Sequence, residues 1–127
     1  MLGEQHDNPQ HHAVQAEWVA ALSPRALVFE MLTEEQAART RSDMRSDREA
    51  LADALDWQAS GWPDFAMYFP IFAAAPEAAI YGAAIPREDA GRIMSEGLGP
   101  QPEATRFGLT EELPRDQQTT REALQAE

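Results

Sequence analysis

Apolar positions recur at helical spacing in the first half of this chain and crowd together without a clear period in the middle. Val14, Trp18, Ala21 and Leu22 fall on one helical face, so the spacing predicts a helix over 13–22. Ser23-Pro24 reads as a cap followed by proline at the first helical position. Leu27, Val28, Met31 and Leu32 then share a face and predict a second short helix over 24–32. Thr33-Glu34-Glu35-Gln36 has the form of a capping box, with the threonine oxygen accepting from the Gln36 amide and the Gln36 side chain reaching back. It opens a long helical region, 34–59, for which Gly61 supplies a left-handed exit. Its stripe of Ala37, Arg41, Met44, Arg48, Leu51 and Leu55 includes two arginines. A second capping box at Ser46-Asp47-Arg48-Glu49 offers the alternative of two helices broken near Arg45. The continuous helix is favoured.

The stretch from Trp57 to Pro86 holds seven of the ten aromatic residues, and a small core forms where aromatics concentrate. Pro63 predicts one or two helical turns, and Pro70 then ends them, because a proline inside a helix removes a backbone bond and clashes with the preceding turn. An extended segment is expected to Ala75. Ala79–Ile85 reads as a strand in which Gly82 permits a bulge or a close backbone approach. Pro86 opens a helix over 87–96, with Glu88 and Asp89 in its first turn and Gly97 as its left-handed cap. Residues 104–109 suggest a further short strand. The expected fold is α+β: a helix-rich single domain over 13–113 with a small sheet of two or three short strands, drawn from 66–85 and 104–109. A flexible lead, 1–12, precedes it, and a polar tail, 114–127, mobile or weakly helical, follows.

Charge narrows the function more than composition does. Ten basic residues, all arginine, face 22 acidic ones, a formal net charge of −12. That field repels nucleic acid and anionic membranes and attracts a basic protein partner. The absence of cysteine excludes disulfides and thiolate metal sites. The N-terminus lacks the pattern of a signal peptide and no apolar run is long enough to span a bilayer, so a cytoplasmic location is expected.

Candidate chemistry is sparse. No phosphate loop, dinucleotide fingerprint, metalloprotease or nucleophile-elbow motif is present. His6, His11 and His12 would clip a metal only if the lead folded back, and a frayed terminus is the commoner outcome for such a trio. Asp56 and Asp64, beside Trp57 and Trp62, are the carboxylates best placed for burial; Asp64 after Pro63 reads more simply as a helix-start residue, and Asp56 as a surface one. The three arginines from Arg41 to Arg48 each have an acidic neighbour within four residues, which favours pairing on a solvated face over phosphate binding.

Ile80-Tyr81-Gly82, Ala90, Ile93, Gly97-Leu98 and Phe107-Gly108-Leu109-Thr110 together resemble the first half of the ADP-ribosyltransferase and RNA 2′-phosphotransferase fold. The resemblance implies a strand–helix–strand unit and a nucleotide site near Tyr81–Arg87. Tyr81 stands where that family has its nucleotide-binding histidine.

The sequence alone thus favours a non-enzymatic acidic regulator, inhibitor or adaptor that binds another protein, in a specific form as a mimic of nucleic acid. Glu34, Glu35, Asp43, Asp47, Glu49 and Asp53 would occupy phosphate sites on a basic partner, with Trp62, Tyr68 and Tyr81 as exposed aromatic contacts. No catalytic, cofactor or metal residue is assigned. The alternatives are a small nucleotide-binding domain of the kind the resemblance implies, and an obligate subunit of a larger complex.

Overall fold

The computed structural model describes residues 1–96, 105, 106, 108 and 111–125. It is helix-rich α+β with a small two-stranded parallel sheet. The chain divides into two compact units, Met1–Pro86 and Arg87–Glu127.

The first unit opens with helix α1, Pro9–Leu22, four residues earlier than the apolar spacing predicts. Asn8 caps it by accepting from the Gln10 amide, Pro9 stands in its first turn, and Ser23 closes it in the left-handed region. Residues 26–29, expected to be helical, form strand β1, Ala26–Phe29. The pairing across the sheet decides this. β1 lies parallel to β2, Ala79–Gly82, with Phe29 opposite Gly82, and Leu27, Val28 and Phe29 suit a pleated surface better than a helix. Ala83 and Ala84 extend the pairing by donating to Phe29 and Leu32 carbonyls. Gly82 has the role its position suggests: a Cβ there would run into the backbone carbonyls of Leu32 and Thr33.

The single helix expected over 34–59 is broken into α2 (Glu34–Ala38), a 3-10 turn (Ser42–Met44), α3 (Arg48–Ala54) and α4 (Trp57–Ser60). Both N-terminal signals operate. Thr33 and Gln36 form the full capping box, and Asp47 caps α3 by accepting from the Ala50 amide. Two competent start signals within one stretch favour two starts, and Asp56 in the left-handed region makes a third break. The break buries Arg45, whose guanidinium donates to the Arg41 carbonyl and to Thr40 Oγ1 while Nη1 has no hydrogen-bond partner among the described residues. Burial lowers its pKa, and the charge of Glu77 offsets this in part. Glu35 pairs with Arg39 at 3.3 Å, and Asp43 with Arg41 at 2.8 Å.

Helix α5, Phe65–Ala73, runs through Pro70 where an extended segment is expected. Pro70 and Ala66 both lie on the exposed side, so the carbonyl that proline leaves unpaired faces solvent. The opposite face carries Phe65, Tyr68, Ile71 and Phe72 into the core, where Phe72 stacks on Phe29 with ring centroids 4.2 Å apart. Leu32, Leu51, Leu55 and Trp57 complete that core. Each large side chain so buried contributes about 1.5–3 kcal/mol. α1 packs on α5, and this contact places the lead beside the core.

In the second unit, helix α6 is Arg87–Glu96 as expected, and α7, Arg115–Gln125, gives the tail regular structure. The cap Gly97 and half of the strand expected at 104–109 lie outside the described residues; Thr105, Arg106 and Gly108 are in turns.

Candidate functional site

The lead places a polar cluster against the aromatic core. The Asn8 Oδ1 cap and Pro9 begin α1, and the tight turn before them, in which the Asn8 backbone amide donates to the Gln5 carbonyl, sends Glu4 and His6 back toward α5. His12, one turn into α1, is wholly buried, and so is Tyr68 on α5. Their ring centroids lie 4.2 Å apart, and Trp57 also packs on Tyr68 with centroids 4.9 Å apart.

Two donors converge on one backbone acceptor. His12 Nε2 meets the His6 carbonyl at 3.0 Å and the Tyr68 hydroxyl donates to the same oxygen at 3.2 Å. A carbonyl has two lone pairs, and both are used. The Glu4 carboxylate, itself nearly buried, divides its oxygens between the two imidazoles. Oε1 lies 3.0 Å from His6 Nδ1, and Oε2 lies 3.2 Å from His12 Nδ1, an ion-pair distance but off the hydrogen-bonding direction. Burial raises the Tyr68 pKa strongly, and the Glu4 charge raises it further, so the phenol stays a neutral donor. The His6 and Trp62 rings pack T-shaped with centroids 4.8 Å apart, and the His6 side chain remains 42% exposed.

On the outer side of α1 an open groove of about 380 Å³ is lined by Met1, Leu2, Gly3, His11, Val14, Gln15 and Trp18. Met1, Leu2, Val14 and Trp18 are large exposed apolar side chains brought together at helical spacing and by the lead. His11 Nδ1 accepts the Gln5 amide at 2.9 Å, and its Nε2 faces the Asn8 side-chain amide at 3.4 Å. Among the described residues no group of three histidine or acidic side chains is placed to hold a metal ion, and no helix is long and apolar enough to cross a membrane.

The class defined by these features is a helix-rich α+β protein with an imidazole-bearing, partly apolar surface at its N-terminal lead. A family model described as haem-binding uptake, Tiki superfamily, ChaN matches residues 1–127, and the chain belongs to that family. No curated protein and no solved structure matches it.

This membership corrects the functional expectation. An acidic regulator, inhibitor or nucleic-acid mimic, and equally an ADP-ribosyltransferase-like nucleotide domain, give way to a haem-binding family that covers the whole chain. The acidic balance misleads because a charge count does not show what the carboxylates do. Glu35 pairs with Arg39, Asp43 with Arg41, and Asp47 caps α3, while Glu34, Glu49 and Asp53 are exposed on α2 and α3. Asp56 pairs with Arg39 at 2.6 Å, and Asp64 accepts from the Ala66 amide at the start of α5. Of the aromatics expected at a surface, Tyr81 is 55% exposed, Trp62 is half-buried, and Tyr68 is wholly buried because its hydroxyl has a partner inside.

Sequence reasoning weighs His6, His11 and His12 only as a metal clip against a frayed terminus, and misses Glu4 and the ordering of the lead. Its signal lies in Asn8-Pro9, a cap and first-turn proline that start α1 before the first periodic apolar residue. Starting the helix there turns His12 inward, and a buried imidazole requires partners.

Proposed function

We propose that this chain binds haem and takes part in its uptake. The family match over residues 1–127 carries the reading. Haem demands an apolar contact for the porphyrin face and a donor such as imidazole for its iron. The residues present fit that demand. Met1, Leu2, Val14 and Trp18 offer exposed apolar area, and His6 and His11 bring imidazoles to the surface on the same lead and helix. When bound, haem would supply an iron centre able to accept a donor atom; His6 or His11 would offer an imidazole, and Met1, Leu2, Val14 and Trp18 the apolar contact.

The carboxylate side chains of haem meet a chain of net charge −12. The long-range field therefore opposes binding, and short-range contact with the porphyrin and the iron must supply the affinity. Titrating ferric haem into the full chain, followed by the Soret absorbance, tests this. Saturation at one haem per chain is expected; absorbance that rises linearly without saturating contradicts it.

A further inference from the structure

β1 pairs with β2 on one side, and among the described residues no other helix or strand packs extensively against it. The Ala79 amide donates to the Arg25 carbonyl and the Ala83 amide to the Phe29 carbonyl, so the odd-numbered residues of β1 turn their backbone groups toward β2. These groups alternate in direction along a strand, so the amides and carbonyls of Ala26 and Val28 point away from the sheet, and none of them has a backbone partner among the described residues. The outer sheet face is apolar as well. Ala26, Val28, Ala79 and Tyr81 share it in two cross-strand pairs, and Val28 is 67% exposed. Parallel sheets ordinarily have both faces covered and more than two strands. No proline or charge interrupts β1 to guard its edge.

We propose that the free edge of β1 pairs antiparallel with β1 of a second copy of this chain, giving a four-stranded sheet about a twofold axis at Val28. Register and charge both make the strand its own partner. With Val28 opposite the partner's Val28, two outward-facing residues meet and exchange both backbone hydrogen bonds. The same register keeps the apolar outer faces on one side, so they run together across the axis. Arg25 precedes the strand and Glu30 follows it, both exposed and neither with a side-chain partner among the described residues. Antiparallel pairing brings the basic end of each strand beside the acidic end of the other, whereas a parallel pairing would align like charges. Two chains of net charge −12 repel, and a four-residue edge buries less than the roughly 1,200–2,000 Å² of a stable interface, so the dimer is weak and depends on concentration. The proposal is independent of the haem reading.

Sedimentation of the full chain without haem, in about 0.15 M salt where charges are screened beyond about 8 Å, is expected to show a monomer–dimer equilibrium. Val28→Glu sets two carboxylates face to face at the axis and should weaken the dimer at least about tenfold. Val28 is largely exposed, so this variant is expected to fold. Arg25→Glu and Glu30→Arg should each weaken the dimer, the second even though it lowers the net negative charge, and the double variant should restore it. Amide exchange should show protection at Val28 that grows with protein concentration, with none gained at Ile80 on the opposite edge. A wild type that stays monomeric to millimolar concentration overturns the proposal, as does a dimer that survives Val28→Glu. A double variant no tighter than the two single ones refutes the antiparallel pairing. Protection at Val28 that does not depend on concentration would show the edge covered without a second copy, and refutes it equally.

Discussion

The shared carbonyl of His6 makes a prediction with a definite sign. Tyr68→Phe removes one donor, yet the ring stays packed against Trp57 and His12, and the carbonyl keeps the His12 bond. Its cost is about 1 kcal/mol, the net value of one hydrogen bond. His12→Leu removes the other donor and the imidazole facing Glu4, and costs about 2–3 kcal/mol, while the carbonyl keeps the tyrosine. In the double variant the oxygen has neither donor, inside a cluster whose two flanking side chains are wholly buried. An orphaned buried acceptor costs about 1–3 kcal/mol on its own. The double variant should therefore lose more stability than the two single variants added together, by about 1–2 kcal/mol. Because Phe keeps the aromatic ring, the ring contact with His12 cancels from the cycle. Urea unfolding of the four proteins, monitored by tryptophan fluorescence, measures the coupling. A coupling within about 0.5 kcal/mol of zero would show that the two donors do not depend on one oxygen, and the account of how His6 is held would be wrong.

Three further outcomes follow from the same structure. Gly82→Ala drives a methyl group into the Leu32 and Thr33 backbone carbonyls, which cannot swing aside as a side chain would, so it should cost at least about 3 kcal/mol by thermal or urea unfolding; a cost under about 1 kcal/mol would contradict the close crossing. Tyr68 has a folded pKa raised above its ordinary value of 10.0. The unfolded chain therefore loses this proton first, and Tyr68 contributes stability that is complete below pH 10.0 and falls as the pH rises toward the folded value; Tyr68→Phe should flatten that alkaline slope. Haem affinity should hold steady or rise between low and high salt, since screening relieves the repulsion between a −12 chain and an anionic ligand; a steep fall with salt would point to attraction between opposite charges instead.

Local signals in this sequence are legible and long-range ones are not. The Thr33 capping box and the start of α6 are each written within a few residues and form where the sequence places them, and the strand expected over Ala79–Ile85 begins at Ala79 but stops at Gly82. β1 misleads because Leu27, Val28, Met31 and Leu32 satisfy a helical stripe as well as they satisfy a strand. The decision comes from β2, more than fifty residues further on, which no local pattern reveals. Pro70 misleads in the other direction: its cost in a helix depends on which side faces water, a tertiary fact. The site is hidden for a similar reason. Glu4, His6 and His12 look like a loose end until α1 packs on α5 and brings Tyr68 to the His6 carbonyl, 62 residues away in sequence.

The proposed haem contact lies on the lead and α1. Gallium protoporphyrin, a diamagnetic stand-in for ferric haem, allows the contact to be mapped residue by residue by NMR on the full chain. Shifts concentrated at Gly3–His6, at the Trp62 indole and along Val14–Trp18 are what the account predicts. Shifts centred on the acidic α2 and α3 segment, or no saturable shifts at all, would contradict it.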